Sequence, residues 1–144
     1  MVEHPFHLAI QVRNIDEART FYRDNLGFPE GRSAAHWVDF DMFGHQLVVH
    51  LNAALGHSGS VASMHNDVDG EGVPVPHFGV VLTLASWDAL RVRVDAFVEA
   101  FVIPPKIRFS GEVGEQRTMF FLDPSGNALE FKAFANREEA LFAK

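Results

Sequence analysis

Metal-binding chemistry is the first possibility that this sequence raises, because two histidines and one carboxylate stand in otherwise apolar, strand-like stretches. His7 lies in PFHLAIQV, His77 in PHFGVVLT and Glu130 in NALEFKAF. Two histidines and a carboxylate that face one cavity can bind a divalent ion and leave coordination positions open for water or substrate. His50, at the end of another strand, is a candidate fourth ligand or acid/base. We therefore predict one divalent metal ion per site, of the group Ni, Zn, Mn, Co or Fe(II).

The composition restricts the alternatives. The 144 residues include no cysteine, so any metal must be held by histidine and carboxylate ligands. The formal net charge of -7, without a block of basic residues, would repel nucleic acid. The sequence shows neither a secretion signal nor an apolar run of membrane-spanning length. We expect a cytoplasmic protein with a small-molecule substrate and no nucleic-acid or membrane partner.

The elements that must position these side chains occur twice in the chain. Each half reads as a strand, an amphipathic helix and then antiparallel strands around a glycine turn, at Gly44 in the first half and at Gly126 in the second. The first helix is predicted to begin after Asn14, with Glu17 as in a capping box, and to stop at Gly27. The predicted fold class is α+β, with two tandem βαβββ modules that form a cupped mixed sheet around a central cavity.

The second helix is predicted from an apolar stripe that follows Ser86, its expected N-cap, and two prolines, Pro104 and Pro105, are expected to end it. Its stripe consists of Leu90, Val94, Phe97 and Phe101. The domain bounds that follow are 1–55 for the first module, 56–74 for a linker rich in Gly, Ser, Asp and Pro, 75–134 for the second module and 135–144 for a C-terminal tail, in which Asn136 caps a short helix.

Side chains alternate across a strand, so the candidate ligands can be assigned to faces. His7 shares its face with Ala9, and Glu130 shares its face with Ala128 and Lys132. Small neighbours beside a metal-competent side chain suit a concave surface where a ligand lies close to the backbone. The alternative interpretation is a set of hydrogen-bonded surface histidines and a solvated ion pair between Glu130 and Lys132.

Three segments, HLAIQVRNIDEARTFYRDNLGF, HFGVVL and FFLDPSGNALEF, resemble the vicinal oxygen chelate superfamily, which includes glyoxalase I, fosfomycin-resistance enzymes, extradiol dioxygenases and bleomycin-resistance proteins. The resemblance covers nearly the whole chain and implies paired βαβββ modules, a homodimer and a metal held by His7, His77 and Glu130. In glyoxalase-like members a fourth ligand comes from the last strand of the first module. The aligned position here is Val48, and His50 follows two residues later on the same face.

The resemblance implies a metal-dependent glyoxalase-like lyase or isomerase, in which the ion stabilises an oxyanion or enediolate as it develops on a small oxygenated substrate. Glu130 or His50 would be the general base. Two alternatives stay open, an Fe(II) extradiol-type dioxygenase and a metal-free drug- or metabolite-binding protein similar to bleomycin-resistance proteins. The candidate substrate contacts are Gln46 and Arg117, with Arg32, Lys106 and Arg108 as further possible clamps for an anion.

Overall fold

The protein, described here by a computed structural model, has the predicted α+β class, with mixed sheets. The structure describes residues 2–144. These form two compact units, which we call unit 1 (residues 2–62 with Asp123–Asn127) and unit 2 (Ser63–Leu122 with Ala128–Lys144). None of the helices in residues 2–144 is long and apolar enough to cross a membrane.

Unit 1 is built on one four-stranded sheet. Its elements are β1 (His7–Val12), α1 (Ile15–Arg19, continued by a π-helical turn over Thr20–Asn25), β2 (Glu30–Ala34), β3 (Trp37–Met42), β4 (His45–Leu51) and a short 3-10 turn (Ala53–Leu55). The strand order is β1-β4-β3-β2, in which β1 runs parallel to β4 and the other neighbours are antiparallel. The first strand of the unit therefore lies beside the last.

Helix α1 begins where the sequence predicts it. The Asn14 side chain accepts a hydrogen bond of 2.8 Å from the backbone N–H of Glu17, which satisfies one of the free donors of the first turn. Phe21 and Tyr22 are buried, with Tyr22 wholly inaccessible. The chain turns away at Gly27, whose φ of 81° is one that glycine adopts without strain. Ala18, Phe21 and Tyr22 thus form the buried side of this helical segment, as its amphipathic pattern predicts.

Unit 2 contains a second mixed sheet, a longer helix and a separate hairpin. Its elements are β5 (Met64–Val68), β6 (Glu71–Val75), β7 (His77–Phe78), β8 (Val81–Leu82), α2 (Leu84–Phe97), β9 (Phe101–Arg108), β10 (Gln116–Leu122), β11 (Ala128–Phe134) and α3 (Arg137–Ala140). The sheet order is β7-β11-β10-β9, with β8 also paired to β11, and β5 and β6 form a separate two-stranded sheet. Strands β7 and β8 run parallel to β11, so the strands that precede α2 in this sheet lie beside its last strand.

The predicted bounds of α2 are wrong at both ends. Its N-cap is Thr83, whose hydroxyl accepts from the backbone N–H of Ser86, so Ser86 lies inside the first turn. The helix ends at Phe97, and Phe101 begins β9. Phe101 matched the helical spacing because the first residue of a strand that follows a helix can also point inward. Spacing alone does not separate the two cases.

Pro104 and Pro105 do not end the helix, because both lie within β9. Strand β9 is at the edge of the sheet, where a residue without an N–H group does not interrupt a ladder on both sides. The pairing of β9 with β10 is irregular between Thr118 and Phe121, as expected for a bulged edge. The short tail helix α3 is capped by Asn136 as predicted.

Candidate functional site

Glu130 lies on the central strand of the unit 2 sheet, with apolar residues on either side of it in sequence. Leu129 and Phe131 are fully buried on one face. Glu130 points to the other face, where the register places Phe120 of β10 opposite it. Only 8% of its side chain is accessible. The predicted alternation along β11 is confirmed, so this carboxylate is held in a largely enclosed position and is not on an open surface.

Three side chains surround the Glu130 carboxylate. The Thr118 hydroxyl donates a hydrogen bond of 3.1 Å to Oε2. The ammonium of Lys132 lies 3.3 Å from Oε1, and Nε2 of His77 lies 3.9 Å from the same oxygen. One carboxylate oxygen is thus held by a hydroxyl, and the other faces a cation and an imidazole nitrogen. The pairing with Lys132 was one of the alternatives that the sequence left open, and it occurs together with the His77 contact.

The ring of His77 is oriented by the backbone of β6. Its Nδ1 lies 2.7 Å from the carbonyl oxygen of Pro74. A carbonyl only accepts hydrogen bonds, so Nδ1 carries the proton and the Nε2 of a neutral ring has a free lone pair. The ring also packs edge-on against Phe120, at 4.8 Å between centroids. His77 therefore presents an electron-pair donor to the oxygen of Glu130, at a separation too long for a hydrogen bond.

Gly79, between β7 and β8, explains how this part of the chain approaches Glu130 so closely. A Cβ atom added to Gly79 would lie 1.6 Å from the carbonyl oxygen of Glu130 and 2.6 Å from its carbonyl carbon. Both are backbone atoms, so no rotation of a side chain would relieve the contact. Small residues beside the candidate ligands were predicted to suit a close approach to the backbone, and this position requires one.

The segment predicted as a linker contains the hairpin β5–β6, which covers the Glu130 face of unit 2. Val73 of β6 is buried in an apolar cluster with Ile103, Phe120 and Ala128. These residues share the face of Glu130, because paired residues in neighbouring strands point to the same side. The hairpin therefore contributes to the enclosure of the carboxylate. Turn-rich composition concealed this hairpin from the sequence analysis.

The hairpin also carries acidic residues that pair with two candidate anion clamps. Lys106 lies 2.6 Å from a carboxylate oxygen of Glu71, and Arg108 pairs with Asp69. The second oxygen of Glu71 is buried and has no hydrogen-bond partner among residues 2–144. Both cations are thus neutralised from within unit 2.

The other two predicted cationic contacts also have partners. Arg117 donates to Asp88 at 2.7 Å, and the guanidinium of Arg32 lies 5.9 Å from the ring centroid of Trp37. Arg117 is about one third accessible, as expected for an ion pair at a surface.

His7 lies in unit 1 at the start of β1 and is exposed. Its Nδ1 is 2.7 Å from Oε1 of Gln46, the residue opposite it on β4, and Nε2 of Gln46 donates to Asp39 of β3 at 3.1 Å. The sequence predicts Gln46 as a substrate contact. In the structure its amide has two protein partners, one of which is a candidate metal ligand.

His50 lies farther along β4, on the same face as Gln46. It is exposed and pairs in register with Gln11, four residues beyond His7 on β1. At the rise of a β-strand this places the two histidines about 13 Å apart. Val48, aligned in sequence with Glu130, is 5% accessible and has no ligand atom. These positions argue against an ion shared by His7 and His50.

The turn before Glu130 is organised by Asp123. Its carboxylate accepts hydrogen bonds from the backbone N–H groups of Ser125 and Asn127, both at 2.8 Å, and from the Asn127 side chain at 2.9 Å. Tyr22 donates a fourth, at 2.6 Å. The Asn127 amide also donates to the backbone of Gln11 at 2.7 Å. The DPSGN turn is therefore fastened to unit 1, to which these residues belong.

Burial raises the pKa of Asp123, although hydrogen bonds from Tyr22 and Asn127 oppose that change. Burial likewise raises the pKa of Tyr22 well above its ordinary value, with a further contribution from the nearby Asp123 charge, so its hydroxyl stays a donor. The contact between Tyr22 and Asp123 was not predicted from the sequence. The signal was present, because Tyr22 and Asp123 belong to the helical and hairpin segments that carried the resemblance.

The structure brings together two of the three predicted ligands. His77 and Glu130 lie side by side in unit 2, while His7 belongs to unit 1. Within residues 2–144, no three His, Asp or Glu side chains form a group that could hold a metal ion.

Comparison with known structures shows strong similarity over the whole length. The chain is similar to a glyoxalase/bleomycin resistance protein/dioxygenase from Alicyclobacillus acidocaldarius, with 32% sequence identity, a TM-score of 0.74, and coverage of 95% of this chain and 96% of that chain. It also shares its fold with the fosfomycin resistance protein FosX from Listeria monocytogenes (17% identity, TM-score 0.66, coverage 96% and 99%) and with FosX from Mesorhizobium loti (14%, 0.61, 96% and 98%).

A comparison with curated proteins finds no match. The match to a protein family covers residues 4–131, a range that includes the candidate ligands of both units. The chain belongs to the Glyoxalase/Bleomycin resistance protein/Dioxygenase superfamily.

Proposed function

We propose that this protein is a metal-dependent, glyoxalase-like lyase or isomerase that acts on a small oxygenated substrate. The observation that supports it best is the pair formed by His77 and Glu130. Nε2 of His77 bears a lone pair, because Nδ1 donates to Pro74, and it faces a carboxylate oxygen at 3.9 Å. Two electron-pair donors that face each other without a hydrogen bond leave a position for a cation between them. The Lys132 ammonium lies beside the pair, 3.3 Å from Oε1, and is the cation that a bound metal ion would have to displace or share the oxygen with.

The donor set fits a divalent metal. Two imidazoles and one carboxylate suit Ni, Zn, Mn, Co and Fe(II), and we propose His7, His77 and Glu130 as the ligands of one ion per site. The hydrogen bonds of both histidines support the proposal, since a metal-binding histidine almost always donates its other ring N–H to an oxygen acceptor. The tandem modules around a cavity and the homodimer stay predictions.

The residues around Glu130 suggest how the reaction would be divided among them. A bound ion would supply a Lewis acid that stabilises negative charge on a substrate oxygen. Thr118 holds Oε2 of Glu130, so Oε1 is the oxygen that would take up a proton from the substrate, in a state in which Glu130 is released from the ion. The β5–β6 hairpin limits the access of water to this carboxylate. We assign proton transfer to Glu130 rather than His50, since His50 is exposed and far along its strand from His7.

Metal titration of the untagged protein tests the proposal. Calorimetry with each of the five ions should show one ion bound per chain, and a bound ion should raise the melting temperature. His77→Ala and Glu130→Gln should each lose this binding. His65→Ala is a matched control, because His65 is an exposed histidine of the same unit, and it should bind as the wild type does. An absence of binding to the wild type, or equal binding by His77→Ala, would refute the proposal.

A metal-free binding protein is the second candidate. It is favoured by the finding that no three potential ligands form a group among residues 2–144, and by the partners that Glu130 already has in Thr118 and Lys132. The two functions differ in one measurement. A small-molecule ligand that binds equally well before and after exhaustive chelation would support sequestration, and a ligand whose affinity depends on metal would support the enzyme.

A further inference from the structure

We propose that Gln46 and Asp39 are positioning residues, which fix the proton of His7 on Nδ1 and keep Nε2 free to bind. The inference rests on the proposed function only in that His7 is there a metal ligand. The proton position itself follows from contacts within unit 1.

The three side chains lie on neighbouring strands of one sheet. Strand β1 pairs in parallel with β4, with His7 opposite Gln46, and β4 pairs with β3, which carries Asp39. The Gln46 amide reaches both neighbours, with Oε1 at 2.7 Å from Nδ1 of His7 and Nε2 at 3.1 Å from Oδ2 of Asp39. Both are ordinary hydrogen-bond lengths.

The direction of each hydrogen bond follows from Asp39. An ionised carboxylate can only accept, so the NH2 group of the Gln46 amide must face it. The amide oxygen then faces His7, and because that oxygen also only accepts, Nδ1 must be the donor. A neutral His7 therefore keeps its lone pair on Nε2. Without Asp39 the amide could rotate by half a turn and offer its NH2 group to His7, which would reverse the proton position.

His77 has the same tautomer, but a different kind of acceptor fixes it. There the acceptor is the backbone carbonyl of Pro74, at the same 2.7 Å. A backbone carbonyl cannot present a donor, so no second residue is needed to orient it. At His7 the acceptor is a side-chain amide, which has a donor end and an acceptor end, and Asp39 selects between them. In both candidate ligands Nδ1 therefore donates to an oxygen and Nε2 is left free. A side-chain substitution can remove the acceptor of His7, whereas the acceptor of His77 is a backbone carbonyl.

Long-range 15N–1H NMR of the metal-free protein tests the proposal directly, since it shows which ring nitrogen carries the proton. The spectra are recorded at about pH 9, so that the ring proton rather than a second proton is what is observed. We expect His7 as the Nδ1–H form in the wild type. Gln46→Leu should abolish the pure Nδ1–H form, and Asp39→Asn should give a mixture. Gln46→Glu should restore it, because a carboxylate also accepts from Nδ1.

Two controls accompany the measurement. His77 should stay Nδ1–H in every variant. Gln11→Leu removes an exposed glutamine from the same face of β1, where its side chain accepts from Asn52, and should leave His7 unchanged. An Nε2–H ring at His7 in the wild type, or an unchanged His7 in Gln46→Leu, would overturn the inference.

Metal affinity separates this inference from the proposed function. If both hold, Gln46→Leu should weaken metal binding about 10–100-fold, the usual effect of removing the partner of a ligating histidine. The expected NMR changes in a protein that binds no metal would uphold the positioning role and refute the proposed metal site. Metal binding by the wild type with an unchanged His7 spectrum in Gln46→Leu would do the reverse.

Discussion

Removal of one buried hydroxyl, by Tyr22→Phe, tests whether the DPSGN turn is stabilised by its contact with the first helix. Tyr22 is fully buried and packs against the aromatic rings of Phe21, Phe28 and Phe40. A phenylalanine ring preserves this packing. The substitution therefore removes little besides the hydrogen bond to Asp123.

The size of the effect follows from the geometry. The hydroxyl donates at 2.6 Å to a carboxylate that is itself buried, and a hydrogen bond to a charged group contributes about 1.5–3 kcal/mol. Asp123 keeps three other donors in the variant, which favours the lower half of that range. At the usual conversion for a chain of this size, the melting temperature should fall by about 3–8 °C.

Urea unfolding of the wild type, Tyr22→Phe, Asp123→Ala and the double variant forms a double-mutant cycle that measures this contact. We expect the two single substitutions to be strongly non-additive, with Tyr22→Phe costing little once Asp123 has been replaced. Additive costs, or a wild-type stability in Tyr22→Phe, would refute the reasoning. Either result would mean that the turn holds its conformation without the helix.

Three further predictions concern Gly79, Asp123 and the hairpin. Gly79→Ala should lower the free energy of unfolding by about 1–3 kcal/mol or more, since its Cβ would strike the Glu130 backbone, whereas an unchanged urea midpoint would contradict that contact. The pKa of Asp123 is raised on folding, so this carboxyl contributes to the free energy of unfolding when it is protonated. The contribution is complete at a pH below the ordinary pKa of 3.8, and it is lost as the pH rises through the raised pKa of the folded protein. Asp123→Asn should therefore cost more in urea unfolding at about pH 3 than at about pH 6, and a constant cost would contradict the raised pKa. Val73→Asp should make β5–β6 susceptible to limited proteolysis, because Val73 is buried. Val68→Asp is the control, at an exposed position of the same hairpin, and should not change the cleavage. Equal cleavage of both variants would show that the burial of Val73 does not fix the position of the hairpin.

Much of the fold could be predicted because it depends on local physics. Apolar periodicity marked α1, a side-chain oxygen three residues before a backbone donor marked its cap at Asn14, and alternation assigned Glu130 to a face. The errors came where local signals were ambiguous. Phe101 matched a helical spacing although it begins an edge strand, and Ser86 was assigned the capping role of Thr83, three residues before it.

The candidate site divides in the same way. Residue type and face marked His7, His77 and Glu130 as candidate ligands. The Glu130–Lys132 pair was one of the alternatives, but Gln46 beside His7 and Thr118 beside Glu130 were not foreseen, because they come from other strands. Gln46 was assigned to substrate, and the structure places it beside His7. The hairpin over Glu130 lay in a stretch whose Gly, Asp and Pro content indicated only turns.

The sequence by itself determined the donor atoms available, the side of each strand on which they lie, and the family to which the chain belongs, since residue type and period-two alternation are written in the chain. Only the tertiary structure decided which nitrogen of His77 carries its proton and how closely a strand approaches Glu130. Those properties depend on a carbonyl at Pro74 and a missing Cβ at Gly79, within distances of a few ångströms. Contacts of that range are set by how strands pair and hairpins dock, which no spacing along the chain records.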